Sequence, residues 1–227
     1  MPFTRPSLDH AGVGIVDLAQ ALEALAGKDL KPAEQYSPEV NRRLETSSNV
    51  ALRAVKKVAP AGLRNTERLL RAAESASSRR AAVIWIRRAA DAWSRALSPY
   101  AACKVGCDHC CHIPLLLTAP EAEIIGRGIG RAPAKVGKDD PRPVIEGYSS
   151  PCPFLSDGAC TIREHRPISC RSHFNMDADD FLCRLDHAAP VPYADNTKIT
   201  LALIVNSGPT SVLADIRQWF PVNSSNP

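Results

Sequence analysis

No stretch of this 227-residue sequence approaches the ~20 consecutive apolar residues that a membrane-spanning helix needs. The most apolar run, Ile199 to Val205, contains Thr200 and is bounded by Lys198 and Asn206. The first residues also lack the positively charged start and the apolar block of a secretory signal. These absences predict a soluble, cytoplasmic protein with no membrane partner.

The motifs of the common cofactor enzymes are absent as well. The sequence contains no Walker phosphate loop, no dinucleotide-binding glycine fingerprint, no HExxH helix and no GxSxG elbow. Its composition, with 44% hydrophobic and 23% charged residues, is ordinary for a globular chain. Sequence alone therefore gives no catalytic residue and no nucleotide cofactor, and it leaves open whether the chain is an enzyme.

Cysteine is missing from the first 102 residues and abundant afterwards. All eight cysteines lie between positions 103 and 183, at a density of about one residue in ten, which is typical of disulfide scaffolds or metal sites. Because thiols stay reduced in the cytoplasm, metal binding is the favoured interpretation. The predicted metal ligands are the thiolates of Cys103, Cys107, Cys110, Cys111, Cys152, Cys160, Cys170 and Cys183.

The first four cysteines are close together in sequence, from Cys103 to Cys111, so that short loops bring their sulfurs together at little entropic cost. Neighbouring side chains diverge, and Cys110 and Cys111 are therefore not expected to share one tetrahedral ion. One of these two cysteines is therefore expected to point into a second metal site, or to be a structural or a reactive thiol. The other four, from Cys152 to Cys183, are so widely spaced that only the tertiary fold can gather them.

Two four-sulfur sites, or one site with leftover thiols, both fit a count of eight cysteines. Zinc and iron, the latter alone or as an iron–sulfur cluster, are both compatible with thiolate ligands. His109 and His112 are alternative nitrogen ligands, although a supporting position around the ligands is favoured for each. The spacing of Cys103, Cys107 and Cys110 also matches that of radical S-adenosylmethionine enzymes, but the sequence that follows shows no strand-helix alternation able to build their barrel.

Several short motifs follow one another across this region. CKVGCDHCCHIP begins at Cys103, CPFL at Cys152 and CTIREHRP at Cys160, and the last leads to Cys170-Arg171. In this order the motifs resemble the YkgJ-type cysteine-cluster family, although the first gap is three residues where the family's CxxCxxCC signature has two. The resemblance covers just over a third of the chain and implies a zinc- or iron-chelating domain with eight recurring cysteines. It also implies a relation to flagellin lysine N-methylase, and hence methyl transfer to protein lysine as an alternative function.

Apolar periodicity predicts a mainly α fold, with amphipathic helices packed against an irregular, loop-rich segment centred on metal. The predicted helices cover residues 17–25, 40–58, 82–96, 119–129 and 211–220, and Thr118 and Glu121 form a predicted capping box. Residues 198–207 fit either a strand, because their apolar residues alternate, or a buried helix, which is favoured. Residues 152–192 contain few large apolar side chains, so we expect bound metal to order them in place of a hydrophobic core. The chain divides into a basic helical region (1–100), a cysteine-cluster region (101–190) and a C-terminal helical segment (191–227).

Positive charge is concentrated in residues 42–95, which contain 13 Lys or Arg and 4 Asp or Glu. Such a surface fits an acidic protein or a nucleic acid. A solvated helical surface is the simpler interpretation, because no aromatic or glycine-rich nucleic-acid motif accompanies the charges. Three functions therefore remain: a metal-binding protein, a metal-dependent enzyme such as a lysine N-methylase, and a metal-stabilised module that binds nucleic acid or protein.

Overall fold

The computed structural model describes residues 36–208 and 210–222, so the helix predicted over residues 17–25 lies outside the described residues. These residues form seven α-helices and four short strands, which confirms the predicted mainly α fold. The helices are α1 (Pro38–Lys56), α2 (Pro60–Glu74), α3 (Arg79–Leu97), α4 (Ala119–Ile129), α5 (Ile168–Ser172), α6 (Thr197–Ser207) and α7 (Ile216–Trp219), and the strands are β1 (Leu116–Thr118), β2 (Leu155–Ser156), β3 (Ala159–Cys160) and β4 (Leu213–Asp215). None of the helices in this part of the chain is both long enough and apolar enough to cross a membrane.

The first three helices contain 12 Lys or Arg and 5 Asp or Glu. α1 and α3 follow the predicted ranges, whereas α2, which begins at Pro60, was not predicted. The proline that ends the α1 pattern also starts a new helix, because the first turn of a helix does not need its missing N–H. α2 and α3 pack side by side, and α3 buries Ala82 and Ile86. The Trp93 indole N–H donates to the Ser172 carbonyl oxygen at 3.1 Å, which ties α3 to α5.

α4 has the predicted ends, but the predicted capping box is wrong. The Thr118 side chain makes no bond to the start of the helix, and its hydroxyl lies 2.9 Å from the Ser207 hydroxyl instead. Glu121 is buried, and its Oε1 accepts a hydrogen bond of 2.6 Å from the backbone N–H of Ile168. Glu121 faces the interior, and it therefore joins α4 to α5 rather than closing the start of its own helix.

The C-terminal part contains one correct and one wrong prediction. α6 occupies the predicted range, but the helix predicted over residues 211–220 is replaced by β4 and the short α7. β4 pairs antiparallel with β1, so that Leu117 lies opposite Ala214. The residues of β4 form backbone hydrogen bonds with β1, which lies far away in sequence, and a local sequence pattern cannot reveal such a partner. Asp215 then starts α7 with a capping box that includes Gln218.

Residues 152–192 bury more apolar surface than their composition predicts. Met176 is fully buried in a cluster with Val58 and Leu97, and Leu182 is buried against Val40. Phe154 packs in a second cluster around α4 and α7. The expectation that apolar packing cannot hold this segment is therefore wrong, because its apolar side chains pack against the neighbouring helices. That packing brings the cysteines of distant segments together.

Candidate metal centre

All eight cysteines lie in the described part of the chain, and none of them forms a disulfide. Seven are half-buried, and Cys110 is exposed. Hydrogen bonds and electrostatic interactions with shared neighbours divide the eight cysteines into two groups of four. The inner group contains Cys111, Cys152, Cys160 and Cys170, and the outer group contains Cys103, Cys107, Cys110 and Cys183.

Three segments assemble the inner group. Cys111 belongs to a 3-10 turn (His109–His112), and its carbonyl oxygen accepts a hydrogen bond of 2.7 Å from the N–H of Cys152. Cys160 lies on β3, which forms a hairpin with β2 through the left-handed pair Asp157-Gly158. Cys170 lies in the middle of α5. The tertiary fold thus gathers the widely spaced cysteines, as their sequence separation predicts.

The pKa is raised for three of the four thiols of the inner group, those of Cys111, Cys152 and Cys170. Burial raises the pKa of Cys170, and the neighbouring charges of Cys152, Cys111 and Cys160 raise it further. Burial also raises the pKa of Cys152, to about 11. A hydrogen bond with Cys110, followed by burial, raises the pKa of Cys111. These thiols therefore ionise together only if a cation balances them, which is the behaviour of metal ligands that release protons when they bind.

Arg217 clamps the loops around the inner group. Its guanidinium donates to the carbonyl oxygens of Cys111 at 3.2 Å and Ser150 at 2.5 Å, and it pairs with Asp215 at 3.1 Å. The positive charge of Arg217 opposes the rise in the pKa of both Cys111 and Cys152, so it also favours their thiolates. A guanidinium suits this position because its planar array of donors reaches several acceptors at once.

Replacing Arg217 by lysine should weaken metal binding at the inner group. Lysine keeps the charge, but its ammonium cannot bridge the same set of carbonyl oxygens. The loss of such an orienting contact typically costs about 10- to 100-fold in metal affinity. Competition with a chelator measures the effect on the zinc-loaded protein. Arg127→Lys is the control, because Arg127 is exposed and pairs with Glu123 on the same helix; an equal loss of affinity in both variants would contradict the role of the clamp.

The outer group is organised by a tight turn and by Asn175. The Cys107 N–H donates to the Lys104 carbonyl oxygen at 3.1 Å, in a turn that Gly106 permits with a φ of +90°. Asn175 donates its backbone N–H to the Cys103 sulfur at 3.4 Å and its side-chain amide to the Cys183 sulfur at 3.2 Å. One buried residue therefore joins two cysteines that are 80 positions apart in sequence.

Tyr193 lies beside all four members of the outer group. Burial raises the pKa of its phenol, and the charges of Cys183, Cys110, Cys103 and Cys107 raise it further. The sequence motifs give no signal for Tyr193 or for Asn175. Both residues become part of the site only through the fold of the segment that contains them.

The N–H groups directed at sulfur are the clearest fit between this chain and a metal. Besides the two bonds from Asn175, backbone N–H groups act on two further thiols: burial raises the pKa of Cys107 and of Cys152, and the N–H of His109 and that of Phe154, respectively, oppose the rise. Such N–H donors stabilise the negative charge that thiolates keep when they bind a metal ion. The donor set thus fits a thiophilic cation in both groups.

Cys107 also belongs to the tightest cluster of donors. Its sulfur, a His109 ring nitrogen and an Asp180 carboxylate oxygen all lie within 4.8 Å of one another, which is compatible with metal binding. His109 was predicted as an alternative ligand, whereas Asp180 was not predicted. Within residues 36–208 and 210–222, no three thiols are this close together. A bound ion would therefore draw the sulfurs inward, to about 2.3 Å from a zinc ion.

The other histidines near the cysteines stand beside the two groups. His112 is buried, packs edge-on against Tyr148 and has its Nε2 3.6 Å from Asp108. The His173 ring lies 3.8 Å from that of Tyr193. Neither histidine belongs to a cluster of close metal donors among the described residues.

The groups in space differ from the groups in sequence. Cys111 belongs to the first cluster in sequence but lies with Cys152, Cys160 and Cys170 in the inner group. Cys183 belongs to the second cluster in sequence but lies in the outer group. Cys110 and Cys111 thus belong to different groups, and their thiols form a hydrogen bond where the two groups meet.

Comparisons of the chain with protein-family models, curated proteins and solved structures give no significant match.

Proposed function

We propose that this protein binds two thiophilic metal ions, one in each group of four cysteines. The observation that carries the proposal is the division of eight free thiols into two sets of four, of which the outer set receives two hydrogen bonds at sulfur from Asn175. Four cysteines are the usual ligand set of a structural zinc site. Thiolates also hold iron and iron–sulfur clusters, so iron is the second candidate metal.

The charge balance supports ions in both groups. Four thiolates around a divalent cation leave a formal net charge of −2. At the inner group this charge is met by Arg217 and by Arg166, whose charges favour the thiolates of Cys111 and Cys170 respectively. Raised thiol pKa values mean that binding displaces protons, and affinity should therefore increase with pH.

The motif resemblance agrees with this proposal. The Cys103, Cys152 and Cys160 motifs resemble those of YkgJ-type proteins, for which a zinc- or iron-chelating domain is the implied function. The related lysine N-methylase activity is an analogy, and no geometry among the described residues assigns a methyl donor or a lysine pocket. A metal-binding role in a reducing cytoplasm is therefore the function that we propose.

Purification without oxygen, followed by elemental analysis, tests the proposal. A colourless protein with two zinc ions per chain is the expected result, and a brown, air-sensitive preparation would assign the groups to iron–sulfur chemistry. The proposal fails if the reduced protein, supplied with zinc and iron, retains fewer than two metal ions per chain.

The basic surface supports a second candidate function, nucleic-acid binding. Eleven of the 13 Lys and Arg side chains in residues 42–95 are exposed, and Arg64, Arg68 and Arg71 follow one another along the outward side of α2. Each phosphate contact contributes about 0.9 to the slope of log affinity against log salt. Fluorescence anisotropy with duplex DNA should therefore show a steep slope that decreases when these three arginines become glutamine. If the affinity for DNA does not depend on salt, the basic surface is a solvated helical surface and does not bind nucleic acid.

A further inference from the structure

The two cysteine groups differ in their access to solvent. Cys110, in the outer group, is exposed, whereas every cysteine of the inner group is at least half-buried. An ion in the inner group would be enclosed by protein, and an ion in the outer group would lie near the surface.

The charges around the two groups differ as well. Arg217 and Arg166 lie near the inner thiols and balance their charge after metal has bound. Asp108 and Asp180 lie near Cys107 in the outer group. Carboxylates at a surface attract cations from solution, because they produce a negative local potential.

The outer group also has more donors than one zinc ion uses. Its four thiols are joined by His109 and Asp180, whose donor atoms lie within 4.8 Å of the Cys107 sulfur, whereas zinc takes four ligands. Tyr148 fixes the His109 ring, since its phenol oxygen lies 2.7 Å from Nδ1 and accepts the Leu185 N–H at 3.3 Å. The other ring nitrogen, Nε2, therefore faces Asp180 at 3.3 Å. Contacts of this kind are typical of histidines that bind metals.

On the basis of the function proposed above, we infer that the outer group is an exchangeable site for a divalent thiophilic cation, whereas the inner group holds a permanent ion. When Cys110 releases the ion, His109 or Asp180 takes the vacated position, so the cation passes between solvent and protein without losing a full ligand set. The exchange involves only ligand substitution and proton transfer to the leaving thiolate, and it needs no oxidant or reductant.

Release of zinc from the loaded protein to an excess of chelator tests this difference. We expect two phases of one ion each, with the outer ion leaving at least about tenfold faster. Cys183→Ser should abolish the fast phase, and Cys160→Ser should abolish the slow one, with circular dichroism reporting whether each variant is folded. Equal release rates for both ions in the unaltered protein, or loss of the fast phase in folded Cys160→Ser, would overturn the inference.

The substitute ligands are tested by counting zinc ions in a second set of variants. Cys110→Ser should keep two ions, because His109 or Asp180 still completes the outer site, and Cys110→Ser combined with both His109→Gln and Asp180→Asn should keep one. Cys110→Ser combined with His112→Gln is the matched control and should keep two. Loss of the outer ion in Cys110→Ser alone would overturn the substitution. A chain that binds no zinc would defeat the proposed function itself, whereas two ions with equal release rates defeat only the inference about exchange.

Discussion

Replacing Cys170 by serine should remove one bound ion and lower the unfolding temperature of the whole chain. Cys170 lies in α5, and the neighbours of Cys170 in this helix connect three parts of the fold. The Ile168 N–H donates to Glu121 of α4, and Arg171 pairs with Asp91 of α3 at 2.5 Å. Structural zinc contributes about 10 to 16 kcal/mol to the folding of small metal-dependent domains. Loss of the inner ion should therefore release α5 and its connections.

Thermal unfolding, monitored by circular dichroism together with zinc content, measures this effect. Cys110→Ser is the matched control, since it makes the same chemical change at the exposed cysteine and should leave the inner ion in place. If Cys170→Ser does not fold, extraction of zinc from the unaltered protein with a strong chelator provides the same comparison. Two retained ions and an unchanged unfolding temperature in Cys170→Ser would show that Cys170 is not a metal ligand.

Glu121→Gln should stabilise the protein at neutral and alkaline pH. Glu121 is buried, and its Oε2 has no hydrogen-bond partner among the described residues. Burial raises its pKa from 4.5 to about 7, although Arg87 and Arg171 oppose the rise. The folded protein therefore binds a proton that the unfolded chain releases between these two pH values. At one pKa unit for 1.36 kcal/mol, ionisation of Glu121 costs about 3 kcal/mol of stability once the pH exceeds 7.

The sign of this effect is the opposite of that for an ion-paired carboxylate. Stability from Glu121 is fully present below pH 4.5 and is lost as the pH rises through about 7. Glutamine keeps an oxygen for the Ile168 N–H and has no charge to bury. Chemical denaturation of both proteins from pH 5 to pH 8.5 should show a difference in the free energy of unfolding that grows with pH and levels off near pH 8. Glu123→Gln, on the exposed side of the same helix, should show a constant difference; a pH-independent result for Glu121→Gln would contradict a buried carboxylate of raised pKa.

Local patterns predicted the helices well and the long-range pairings poorly. α1, α3 and α4 follow from apolar periodicity and from prolines, because those signals act within one helix, whereas the apolar alternation in α6 fits a strand as well as a helix. α2 was missed because Pro60 indicates the end of one helix as readily as the start of another. β4 was assigned to a helix because its partner, β1, lies almost a hundred residues earlier in the sequence.

The residues of the candidate site were likewise predicted where local sequence indicates them and missed where only the tertiary fold brings them together. The eight cysteines could be recognised from their density and spacing. The divergence of neighbouring side chains predicts that Cys110 and Cys111 do not share one ion, but it does not predict that their thiols lie close enough to interact. Sequence could not show that Cys111 and Cys183 exchange groups, because that depends on how the segment after Cys160 returns to α1 and α3. Asp180 and Asn175 are ordinary polar residues in sequence, and only their positions beside the thiols distinguish them.

Native mass spectrometry of the reduced, zinc-loaded protein tests the central claim most directly. Our account predicts a mass of the chain plus two zinc ions, a loss of one ion in Cys160→Ser and a loss of the other in Cys183→Ser. A chain with one ion or none, or a mass that shows the cysteines joined in disulfides under reducing conditions, would contradict two four-cysteine metal sites.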